Sequence, residues 1–153
     1  MIRVLRICLG LIVFSANGGP EPANLVTNPG MEEVVGSAGV AAGWGGGAFG
    51  KPGSHVILDC KFAHSGKNSI RVGTGPADFV TCASAAIAVK PDTTYYVTWW
   101  CRTEGMKQAR AYLWLKTDKG QRVLPDAEQS LTQEWTQYFS EYKTTADETS
   151  LSP

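Results

Sequence analysis

Apolar and polar positions alternate with a period of two along most of this chain, and no stretch carries a helical stripe. Residues 94–102 show it best. Tyr95, Val97, Trp99 and Cys101 share one face, and Tyr96, Thr98, Trp100 and Arg102 share the other. Residues 109–117 repeat the pattern, with Ala111, Leu113 and Leu115 opposed by Arg110, Tyr112, Trp114 and Lys116. Further extended runs lie at 56–58, 69–72, 79–89 and 135–144. Lys90-Pro91-Asp92 is a natural turn, and Asp118-Lys119-Gly120 a hairpin-like one. Seventeen glycines and eight prolines punctuate the runs at short intervals. The pattern predicts an all-β fold, an antiparallel two-sheet sandwich with under about a tenth of its residues helical. Residues 125–131 could hold one helical turn. Residues 36–53, rich in Gly and Ala, read as a long loop anchored by Trp44.

The first residues follow a different rule. Arg3 and Arg6 make a short basic start, and residues 7–16 form an apolar run too short to cross a bilayer. The break Asn17-Gly18-Gly19-Pro20 follows a small-residue site at Ala16-Asn17-Gly18. This predicts an export leader over 1–18, a linker over 19–23, and one domain over 24–153 in a secreted protein, extracellular or periplasmic. A buried first strand is the other use of such a run. Cys8 lies inside the apolar run, not after it, which argues against a lipid anchor. Without Arg3 and Arg6 the charge is 12 − 14 = −2, so no basic footprint for nucleic acid exists. No second apolar segment reaches membrane length. Cys60, Cys82 and Cys101 are odd in number. Export permits a disulfide without naming the pair, and three small buried side chains are the plainer reading.

The polar-side sets carry the chemistry. A core face would not choose Arg and Lys, and a plain solvent face would not choose two Trp and two Tyr. Exposed aromatic patches mark binding surfaces. A pyranose has an apolar C–H face that lies well on an indole or phenol ring. Its hydroxyls need donors and acceptors at the rim. Trp100, Arg102, Arg110, Tyr112, Trp114 and Lys116 are therefore the candidate sugar platform. The alternative is that a second layer or loops cover these rings. Trp44, Trp99 and Trp135 are expected in the core.

Five pieces in order carry a resemblance: residues 24–32 (Asn-Leu-Val-Thr-Asn-Pro-Gly-Met-Glu), read as a short strand that breaks at Asn-Pro-Gly and ends on a carboxylate, Gly43-Trp44, the turn Ala63-His64-Ser65-Gly66-Lys67 before a strand, Lys90-Pro91 before residues 95–102, and residues 135–142. The chain resembles the jelly-roll carbohydrate-binding modules of the family 4, 9 and 22 type, a galactose-binding-domain-like fold. The resemblance implies a non-catalytic domain that binds a polysaccharide or oligosaccharide and targets an attached or partner glycoside hydrolase. It also implies a structural calcium, with Glu32 as a side-chain ligand and backbone oxygens of His64 and Lys67 beside it, in keeping with calcium's preference for oxygen. The family's closing Gly-x-hydrophobic-x-x-Asp-Asp strand has no match before Pro153. The C-terminal strand is thus expected to be missing, leaving the first strand beside an unpaired edge.

Other classes fare worse. Glu32, Glu33, Asp59 and Asp78 are the carboxylates available for hydrolysis, but nothing in their spacing pairs two of them. No nucleophile elbow or His-Glu-x-x-His occurs, and Gly45-Gly46-Gly47 lacks the Gly-Lys-Ser/Thr ending of a phosphate loop. His55 and His64 have no partner at zinc-ligand spacing. A secreted adhesion or structural jelly roll without a sugar ligand remains the alternative to sugar binding.

Overall fold

A computed structural model describes residues 3–10, 24–36, 40–49, 55–74, 79–105, 110–111, 113–124 and 129–153. Its strands are β1 (Arg3–Gly10), β2 (Val34–Val35), β3 (Val40–Ala41), β4 (Trp44–Phe49), β5 (His55–Asp59), β6 (Ser69–Thr74), β7 (Phe79–Ser84), β8 (Ile87–Ala88), β9 (Thr94–Glu104), β10 (Arg110–Ala111), β11 (Trp114–Thr117), β12 (Gly120–Val123), β13 (Gln129–Ser130), β14 (Thr136–Lys143) and β15 (Ser150–Ser152). Every pairing is antiparallel, and no helix occurs among the described residues. The all-β sandwich expected from the alternation is what the chain forms.

One layer is a five-stranded sheet in the order β14-β9-β1-β6-β5. The other is a four-stranded sheet in the order β12-β11-β15-β8. Period-two patterning is the reason the layers stack. Along β9, Tyr95, Val97, Trp99, Cys101 and Thr103 are buried, while the residues between them are partly open. Leu113, Leu115 and Leu151 supply the facing layer, and both sets belong to one core cluster with Val26, Met31, Trp44, Ile70 and Val72. Trp99 stacks on Tyr138 from the neighbouring strand, with ring centroids 5.8 Å apart. Turns behave as expected too. Asp118-Lys119 closes the β11–β12 hairpin. The Asp118 carboxyl is held below its usual range, first by the Thr149 N–H at 3.1 Å, and so ties β15 to that hairpin.

Four expectations change. Residues 24–32 were expected to begin as a strand. They make a single bridge at Asn24 and then a tight turn, with Asn28 and Met31 at positive φ. The glycine-rich segment 36–53 is no simple loop: it contains β3 and β4, and β4 pairs with β7. The pairing needs a glycine at one position. A Cβ at Gly46 would stand 2.6 Å from the Thr81 carbonyl oxygen and 3.1 Å from Val56 Cγ1. The run 79–89 breaks into β7 and β8, which join different sheets. The run 109–117 also divides. Arg110–Ala111 pairs with Gln129–Ser130, where a helical turn was expected, while Trp114–Thr117 enters the four-stranded sheet. Residues 125–128 lie outside the described residues.

The N-terminal run is used as structure. Residues Arg3–Gly10 take the middle of the five-stranded sheet, with β6 on one side and β9 on the other. Residues 11–23, which include the small-residue site at Ala16-Asn17-Gly18, lie outside the described residues.

Candidate functional site

The outer face of the five-stranded sheet collects the aromatic rings. On β9, Tyr96, Trp100 and Arg102 point away from the core, opposite the buried Tyr95, Trp99 and Cys101. On β14, Gln137, Phe139 and Glu141 point the same way, opposite Tyr138 and Ser140. Phe139 is 54% exposed and stacks on Tyr96 with centroids 5.5 Å apart. Four residues separate Tyr96 from Trp100, which places them about 13 Å apart along the strand.

A loop roofs part of this face. Residues 60–68 connect β5 to β6, and two anchors shape them. The Asp59 carboxylate accepts the Lys61 N–H at 2.9 Å, and the Ser69 hydroxyl donates to the Phe62 carbonyl at 2.6 Å. So held, the loop lays His64 on the Trp100 indole, with centroids 3.8 Å apart and planes 15° from parallel. His64 also meets Trp135 edge-on at 5.8 Å. Phe62, 40% exposed, sits under the Arg102 guanidinium at 5.4 Å. The outer face thus presents Tyr96–Phe139, then Trp100–His64–Trp135, then Arg102–Phe62, in one line along β9.

A carboxylate fixes the same loop from the other side. Asn28 organises the first turn: its side chain bonds Glu33 N, Glu33 O and Ala42 O at 2.9–3.0 Å, and its carbonyl accepts the Trp44 indole N–H at 2.8 Å. That turn buries Met31 and aims Glu32 at the loop. Glu32 Oε1 accepts the N–H groups of Lys67 at 2.8 Å and Asn68 at 3.1 Å. Its Oε2 accepts the Asn68 amide at 3.3 Å. Gly66, at φ 66°, leaves room for Oε1, which a side chain there would meet. Lys67 therefore meets Glu32 through its N–H. Among the described residues no three His, Cys, Asp or Glu side chains come together as a metal site.

The six candidate sugar contacts divide. Trp100 and Arg102 lie on the outer face just described. Trp114, 41% exposed, and Lys116 lie on β11, in the other sheet. Both sheets turn their apolar sides to one core, so their outer faces look in opposite directions. One platform cannot hold Trp100 and Trp114 together. Arg110 sits in β10, which pairs only with β13 in a two-stranded sheet among the described residues, and Tyr112 lies outside the described residues. Trp44 and Trp99 are buried as expected, whereas Trp135 is only half-buried. Phe62, Phe139 and Arg71 were missed by the sequence reading. Splitting 135–144 into its two faces would have exposed Phe139.

Of the enzyme candidates, Glu32 and Asp59 bond backbone N–H groups, and Asp78 lies outside the described residues. Cys60, Cys82 and Cys101 are free thiols. Burial pushes Cys82 and Cys101 up to about 12, which keeps them protonated and poor nucleophiles.

A two-layer antiparallel sandwich with rings along an outer strand face is the build of a sugar-binding module. The family model described as a carbohydrate binding domain, CBM_4_9, matches residues 23–152, and the chain belongs to that family. Comparison with curated proteins and with solved structures gave no match. The domain is a non-catalytic one that binds carbohydrate.

Proposed function

We propose that the outer face of β9 and β14, with the 60–68 loop, is the surface that binds a polysaccharide chain. The observation behind this reading is the line of rings along β9, with Phe139 the most open of them. His64 already lies on the Trp100 indole. The sugar's C–H face therefore rests first on the Phe139–Tyr96 pair, and its hydroxyls reach Gln137, Glu141 and Arg102 at the rim. Such stacking is modest, so Kd should fall between about micromolar and millimolar, or −8 to −4 kcal/mol. A glycan array followed by titration calorimetry tests this. At least one poly- or oligosaccharide should bind in that range and leave the sample uncut. No binding to any glycan would overturn the reading and favour the adhesion alternative.

The same proposal includes delivery of a glycoside hydrolase to its polymer, because a domain that binds without cutting serves a catalytic partner by raising its local concentration. It includes export, on the basic start and apolar run of residues 1–18. A removed leader and a retained β1 are the same residues. Export is therefore proposed with residues 3–10 retained as β1 of the sheet.

Calcium belongs to the proposal as a structural tie. Glu32 Oε2 takes only the Asn68 amide, so it keeps a lone pair for a cation. The His64 and Lys67 carbonyls of the same loop would supply further hard oxygens. Calcium in excess should then raise the melting temperature above that in chelator, by mass action on the folded state. Equal melting temperatures would remove calcium from the account.

A further inference from the structure

We propose that Arg71 and Arg102 make this face a receptor for polysaccharides that carry carboxylates, an inference that rests on the sugar-binding reading above. Strand register is the first observation. Arg71 of β6 and Arg102 of β9 both pair with position 6 of β1, which is itself an arginine. Ile57 of β5 continues the row beyond Arg71. Arg71 and Arg102 therefore stand level with each other on the two strands that flank β1.

Burial is the second observation. The Nε atoms of Arg71 and Arg102 are both buried and have no hydrogen-bond partner. Buried polar groups are nearly always satisfied, and a guanidinium N–H left bare is costly. Neither arginine is in a salt bridge among the described residues. Their neighbours Ile70, Val72, Cys101 and Thr103 are buried, so both arginines belong to the outer face. Their strands lie two spacings apart, about 10 Å.

Both side chains are only half-buried as a whole, and the partner that suits such a guanidinium is an anion of defined shape. A guanidinium presents parallel N–H groups that match the two oxygens of a carboxylate, a fit that a point-charge lysine does not offer. Phe62 lies against the Arg102 plane and limits its rotation. Trp100 is two residues along the same face of β9. A uronate residue can therefore rest its ring on the aromatic line while its carboxylate meets Arg102 or Arg71. Neutral chains use the rings and the hydroxyl contacts at the rim without this charge pairing.

The test is affinity electrophoresis of the full chain through gels holding uronate polymers, namely polygalacturonate, alginate and glucuronoxylan. Each is compared with its carboxyl-reduced form, and dextran sulfate with dextran. Uronate polymers should retard the protein more than their reduced forms, and added salt should weaken the difference. Arg71→Gln should weaken uronate binding about tenfold or more, with no fall in melting temperature and unchanged retention by reduced polymers, and Arg102→Gln, which also loses a hydroxyl contact, should weaken uronate binding more than it weakens retention by reduced polymers. Equal retention by uronate and reduced polymers would overturn the inference and leave the sugar-binding reading standing. So would unaltered uronate binding in both variants, or retention by dextran sulfate with none by any uronate polymer. No retention by any polymer, neutral or acidic, would overturn both.

Discussion

A chain lacking residues 1–18 should lose most of its stability, measured as a melting temperature far below that of the full chain or as no cooperative transition at all. Among the described residues, β1 is the only connection between the β14-β9 pair and the β6-β5 pair of the five-stranded sheet. Its register runs over Val4 to Gly10 against β9 and Arg3 to Ile7 against β6. Removing it strands the backbone N–H and C=O groups of two interior strands, and a two-stranded remnant is marginal by itself. It also turns two interior strands into edges, which invite association between copies. A synthetic peptide of residues 3–10, added in excess, should restore part of the loss by re-forming the strand. Equal melting temperatures with and without residues 1–18 would show that β1 does not hold the sheet.

Trp99→Ala is the second large effect. Trp99 is 4% exposed, packs in the cluster shared by both sheets and stacks on Tyr138. Truncating a buried Trp costs about 3–5 kcal/mol. For a domain of this size that lowers the melting temperature by roughly 10 °C or more. Trp135→Ala should cost clearly less, although the sequence pattern placed Trp135 in the core, because its ring is only half-buried, packing against the core on one side and edging onto His64 on the other. Denaturant titration of both variants checks the order. A smaller loss at Trp99 than at Trp135 would contradict the assignment of the core face.

The core was legible in the chain because β9, β11 and β14 are each buried on one side. Alternation then sorts Tyr95 from Tyr96 and Leu115 from Trp114 without any knowledge of neighbours. Alternation cannot say which sheet a strand joins. That is why Trp100 and Trp114 looked like one platform and lie on opposite sides of the molecule. β4 was hidden because its glycines carry no periodic signal. One of them, Gly46, is needed where strands crowd at Thr81 and Val56. The 60–68 loop was hidden for a third reason. Its placement depends on Glu32, more than thirty residues away, and on rings that meet only after the sheet forms. The N-terminal run was ambiguous in principle, since a leader core and a buried strand both ask for a short apolar stretch.

The placing of the sugar on the β9–β14 face is tested most directly by comparing Phe139→Ala with Trp114→Ala. Both rings are among the exposed large side chains, one on each sheet. Both variants should therefore fold with little change in melting temperature. Retention of each by a soluble polysaccharide that binds the parent chain is then measured by affinity electrophoresis. The account predicts that Phe139→Ala loses retention and Trp114→Ala keeps it. Retention kept in Phe139→Ala and lost in Trp114→Ala would place the sugar on the four-stranded sheet and contradict the account.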